Sequence, residues 1–122
     1  MRVTDFKTGS PRKKSDIEKR SEEGRLSPLA RQLAMYAYLL STSPKWRAEV
    51  EEVVLEFLEA KNKEERFYRT SVAEEQVDLL VEDIKDYNKL VKDGGWVSRE
   101  CNFNSYGKVT DCPYCKIAEI YS

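Results

Sequence analysis

Histidine is absent from the 122 residues, which excludes Ser–His and Cys–His nucleophiles and leaves acid–base work to carboxylates, lysine, tyrosine or cysteine. Glycine is scarce, with five in all. The one adjacent pair, Gly94-Gly95, closes an apolar-periodic segment instead of opening one, so no glycine-rich phosphate loop is present. Long hydrophobic runs are missing as well. The longest, Leu33 to Leu40, falls far short of the roughly 20 residues a bilayer-crossing helix needs. The opening MRVTDFKTGSPRKK has no apolar core of the kind a secretory signal carries. A soluble, cytoplasmic protein is the expectation.

Charge is plentiful and nearly balanced. Lys, Arg, Asp and Glu make up 35% of the chain, the net charge is -1, and glutamine occurs only at Gln32 and Gln76. That bias towards ion pairs and away from labile amides is of the kind found in heat-adapted proteins. The balance conceals an asymmetry. Residues 1–25 hold eight basic and five acidic groups, whereas residues 71–93 hold three basic and seven acidic ones. No face is basic enough to make unspecific duplex binding the default.

Three segments follow from this patterning. Residues 1–25 are polar and basic, with too little apolar surface to offset their ordering entropy, and read as a flexible tail. Residues 26–95 read as a helical bundle. Ser27-Pro28 opens its first helix, with Ser27 as cap and Pro28 at the first helical position. Leu29, Ala30, Leu33, Ala34, Ala37 and Leu40 stripe one side, and Met35, Tyr36, Tyr38 and Leu39 make the others apolar too, so the helix should be buried between neighbours or in a homodimer. Trp46, Val50, Val53, Val54, Phe57 and Leu58 predict a second amphipathic helix. Ser71 with Glu74 forms a capping box for a third, lined by Val77, Leu80, Val81 and Ile84 and stopped at Gly94-Gly95. Residues 96–122 read as a hairpin with cysteines around it. The expected fold class is mainly α: a small three-helix bundle with a C-terminal β-hairpin clasped by cysteines.

Cys112-Pro113-Tyr114-Cys115 resembles the active-site tetrapeptide of glutaredoxins, and that resemblance implies an attacking thiolate at Cys112. The surrounding pattern supplies no sheet for a thioredoxin-like fold. Two structural readings stay open: a metal knuckle, possible zinc, with Cys101, Cys112 and Cys115 as ligands, or a disulfide from Cys101.

Two surfaces stand out as binding candidates. Glu75, Asp78, Glu82 and Asp86 on the third helix form an acidic face suited to a basic protein surface. Arg66-Phe67-Tyr68-Arg69 interleaves cations with rings, a pairing that holds single-stranded nucleic acid, and Arg12, Lys13 and Lys14 could follow a phosphate backbone. The leading expectation is a non-enzymatic adaptor or inhibitor that docks on another protein, within nucleic-acid-processing machinery. Direct nucleic-acid binding, single-stranded or duplex, is the alternative, and a thiol-disulfide redox protein the third.

Overall fold

The computed structural model describes residues 1–94 together with 104–105, 108–109, 117 and 120. Strand β1 (Arg2–Lys7) leads through a short helix α1 (Lys14–Glu18) and a long helix α2 (Pro28–Thr42) to strand β2 (Glu52–Phe57). A one-turn helix α3 (Lys63–Arg66) then turns the chain into β3 (Phe67–Thr70), and α4 (Glu74–Lys92) follows. The sheet order is β1-β2-β3, with β1 parallel and β3 antiparallel to β2. Parallel neighbours need a crossover connection, and α1 with α2 provides it.

This is an α/β arrangement on a three-stranded mixed sheet, not the mainly-α three-helix bundle that periodicity suggested. The second expected helix is the point of failure. Val50, Val53, Val54 and Phe57 fit a helical stripe, but a short apolar run fits a doubly covered strand equally well, and periodicity cannot separate the two. Val53, Val54 and Leu55 are consecutive and all but fully buried. A strand paired on both edges and covered on both faces satisfies that pattern, and β-branched residues favour it. The segment expected as a mobile tail supplies β1, whose residues alternate between exposed and half-buried, and α1, whose Ile17 is completely buried.

Register places Val3, Asp5 and Lys7 beside Val53, Leu55 and Phe57, and Leu55 beside Tyr68. Because strand side chains alternate, all of these share one face of the sheet. Ile17, Leu33, Val53, Leu55, Phe57 and Tyr68 form the main core there, with Val3, Leu29 and Tyr36 packed against it. Full burial of each large side chain contributes about 1.5–3 kcal/mol. On its other side α2 packs through Ala34 against Leu26 and Leu80, flanked by Ala30, Met35 and Tyr38. The helix that is apolar nearly all round is thus covered on two sides within the chain itself.

The helix ends are specified locally. Ser27 Oγ accepts from Ala30 N at 3.2 Å and donates to the Ile17 carbonyl at 2.5 Å, tying the start of α2 to the end of α1. At α4 the reaching-back side chain is Gln76, which accepts from Ala73 N at 2.9 Å, in place of the Ser71–Glu74 box. Gly94 has a φ of 69° just past the end of α4, a left-handed conformation that glycine adopts without a Cβ penalty. A compact unit spans Met1–Ile84, and a second spans Lys85–Ser122. The second contains a short antiparallel ladder of β4 (Asn104–Ser105) with β5 (Lys108–Val109). Among the described residues no helix is long and apolar enough to cross a membrane.

Candidate active site

Two side chains of β1 face two of α2. Asp5 and Lys7 are two residues apart on a strand, a step of about 6.6 Å along one face. Gln32 and Tyr36 are four apart on a helix, a step of about 6 Å. The near equality of these repeats lets the pairs meet in register. Lys7 Nζ donates to Gln32 Oε1 at 2.6 Å, and Tyr36 OH donates to Asp5 Oδ2 at 3.2 Å. Lys7 Nζ and Asp5 Oδ2 are 2.9 Å apart. The four residues form one connected polar cluster, set at the β1 edge of the hydrophobic core.

The cluster is sheltered without being sealed. The side chains of Lys7 and Asp5 are 25% and 17% exposed, so their interaction is stronger than a surface pair's while solvent and substrate still reach them. Burial pushes the Tyr36 phenol above its ordinary value, and the neighbouring Asp5 charge adds to this, while Lys7 and Gln32 oppose it. Tyr36 therefore stays a protonated donor across the neutral range. The Tyr36 hydroxyl and the Lys7 ammonium both meet Asp5 at Oδ2, which leaves Asp5 Oδ1 without a partner among the described residues.

A cavity of about 660 Å³ opens beside Lys7, walled by the loop Thr8–Arg12, by Asp16 and Ile17 and by the start of α2. A second, of about 450 Å³, lies on the other side of Arg12 and is lined by Lys13, Lys14, Phe67 and Tyr68 with Glu64 and Glu65. The expected nucleic-acid residues are thus partly gathered: Arg12, Lys13, Lys14, Phe67 and Tyr68 border one groove.

Arg66 and Arg69 are used differently. Arg66 pairs with Glu56 at 2.7 Å, and Arg66 and Arg69 lie over the Phe67 ring at 5.7 Å and 5.0 Å. Tyr68 is buried, and its hydroxyl donates to Glu18 at 3.1 Å. Of the expected acidic face, Glu75 takes both guanidinium nitrogens of Arg20, at 2.5 Å and 3.2 Å. This pairing lowers the Glu75 carboxyl from its usual range. Asp78, Glu82 and Asp86 are exposed on α4. Cys101, Cys112 and Cys115 lie outside the described residues. Among the described residues there is no group of three or more acidic or cysteine side chains that could hold a metal.

Asp5, Lys7, Gln32 and Tyr36 were not singled out by sequence reasoning. A signal existed for each pair. Asp5-Phe6-Lys7 alternates after Val3 as a strand does, with two opposite charges on one side. Gln32 lies within the apolar stripe between Leu29 and Tyr36, where an amide needs a partner.

A family model described as the PD-(D/E)XK nuclease superfamily matches residues 1–120. No curated protein and no solved structure matches the chain. The family's name contains the motif D/E-x-K, and Asp5-Phe6-Lys7 has that form. None of the four prolines is followed by aspartate, so the other half of the name has no counterpart in the sequence. The match overturns the expectation of a non-enzymatic adaptor or inhibitor and points to a nuclease-like, nucleic-acid-processing protein and an enzyme. It agrees better with the nucleic-acid alternative.

Proposed function

Since the chain belongs to the PD-(D/E)XK nuclease superfamily, we propose that it hydrolyses phosphodiester bonds in nucleic acid at the Asp5–Lys7–Gln32–Tyr36 cluster. The observation that carries this reading is the D-x-K pair on β1, locked to α2 by two hydrogen bonds. Hydrolysis of a phosphodiester builds negative charge on the phosphoryl oxygens, and a fixed cation beside them stabilises that charge more than it stabilises the ground state. Lys7 is such a cation. Gln32 sets the position of its ammonium group, and Tyr36 orients the Asp5 carboxylate.

Nucleases of this family usually use a divalent metal such as magnesium. Magnesium takes hard oxygen donors and commonly binds through one or two carboxylates with substrate phosphate and water completing the shell. Asp5 fits that role through Oδ1, which the cluster leaves available. When bound there, the ion would polarise the phosphoryl oxygen and lower the pKa of an attacking water. The work left to the protein is to hold Asp5 at one angle, to keep Lys7 aimed, and to exclude bulk water with Leu55 and Phe57 beneath.

The test is cleavage of labelled DNA and RNA by the full-length protein with and without Mg²⁺. Metal-dependent products that disappear in Asp5→Asn and Lys7→Ala support the proposal. Products that persist at wild-type rate in both variants refute it.

A further inference from the structure

The cavity beside Lys7 has a composition that hydrolysis itself does not require. Its volume, about 660 Å³, lies in the range of small-molecule sites. Ile17, Leu29, Pro28 and Phe57 give it apolar walls, Arg12 and Lys7 give it positive charge, and Asp16 contributes one carboxylate. Arg12 is exposed and makes no hydrogen bond or ion pair among the described residues. It borders both this cavity and the adjoining one lined by Lys13 and Lys14. The loop that carries it turns at Gly9, whose φ of 89° is a left-handed conformation. A side-chain carbon added there would meet nothing within 4 Å, so the glycine serves the turn and not close packing.

Apolar walls, a spare guanidinium and one hydrogen-bond acceptor are the complement of a nucleotide. We infer that this cavity is a nucleotide subsite, holding the residue next to the cleaved bond with its phosphate on Arg12. The inference rests on the hydrolase reading of the Asp5–Lys7 cluster and adds the residue that positions the substrate beside it. The flat base lies against Leu29 and Phe57, and Asp16 accepts from a sugar hydroxyl or a base N–H. A base reaches a cavity of this kind only out of the helical stack. Arg12 then passes the strand to Lys13 and Lys14, which line the neighbouring groove.

The experiment measures binding of a fluorescent single-stranded oligonucleotide and of thymidine 5′-monophosphate to the full-length protein in EDTA, alongside cleavage in Mg²⁺. Arg12→Ala should weaken oligonucleotide binding by about tenfold, the order expected for one charge-assisted phosphate contact. It should also make the logarithmic salt dependence shallower by about 0.7, the share of one single-strand phosphate contact. Ser10→Trp, which fills the cavity from its exposed rim, should abolish mononucleotide binding while circular dichroism stays that of the wild type. Lys45→Ala, at an exposed cation that borders neither cavity, serves as the charge control and should leave affinity within about twofold.

Wild-type affinity in both Arg12→Ala and Ser10→Trp overturns the subsite, as does an equal loss in Lys45→Ala. The two readings fail separately. An oligonucleotide held through Arg12 and never cut removes the hydrolase and keeps the subsite. Cleavage that needs Asp5 but is indifferent to Arg12→Ala and Ser10→Trp removes the subsite and keeps the hydrolase.

Discussion

Replacing Gln32 with leucine is the most revealing single change, because it keeps a side chain of similar bulk while removing the acceptor of Lys7. The lost bond is 2.6 Å long and joins an ammonium group to an amide oxygen in a partly buried setting. Hydrogen bonds to charged groups contribute about 1.5–3 kcal/mol, and the residual exposure of Lys7 places this one at the lower end, about 1.5 kcal/mol. For a unit of this size that is a fall in Tm of roughly 6 °C.

Lys7 is not released altogether, since Asp5 Oδ2 still holds it at 2.9 Å. What changes is its direction: with one anchor in place of two, the ammonium can swing by an ångström or more. A misplacement of that size costs up to about a hundredfold in rate, and a partial one about tenfold. The prediction for Gln32→Leu is a kcat about tenfold lower with KM nearly unchanged, measured on an oligonucleotide substrate, together with the lower Tm. A variant with wild-type kcat and the lower Tm would show that Gln32 supports the fold without aiming Lys7, and the positioning argument would fail.

Leu55 is fully buried at the centre of β2, directly beside Asp5, so Leu55→Ala should cost about 2–5 kcal/mol in urea unfolding. A loss under about 1 kcal/mol would contradict the assignment of this segment as the central strand. Ser27→Ala removes both the α2 cap and the tie to Ile17. It should destabilise by about 1–2 kcal/mol, and Ser27→Asp should recover part of this by restoring the acceptor. The Tyr36 phenol is raised in the folded protein, so its contribution is present below the unfolded value of about 10 and is lost as pH rises through the higher folded value. The stability gap between wild type and Tyr36→Phe should therefore be constant from about pH 7 to pH 9 and shrink at stronger alkalinity. A gap that widens there would reverse the sign of the argument.

Much of the framework can be read from local chemistry. Ser27-Pro28 and Gly94 mark real helix boundaries because capping depends on near neighbours alone. The apolar surround of α2 correctly implies a helix covered on two sides. The run Val53-Val54-Leu55-Glu56-Phe57 is different, since its state is decided by β1 and β3, which lie some fifty residues before it and ten after. The polar opening of the chain misleads for a related reason. Asp5 and Lys7 look like solvated tail charges until α2 brings Gln32 and Tyr36 over them, contacts 25 and 31 residues away in sequence. Arg12, Lys13 and Lys14 stand out in the sequence as candidate phosphate contacts, but the two cavities they border exist only in the folded chain.

The account turns on Asp5 and Lys7 acting together at one phosphodiester. The most direct measurement is the single-turnover rate of oligonucleotide cleavage by the full-length protein in Mg²⁺, for wild type, Asp5→Asn, Lys7→Ala and the double variant. The account predicts that each single change removes cleavage as completely as both together, because the two residues act as a unit. Independent, additive partial losses, or cleavage that survives in the double variant, would contradict it.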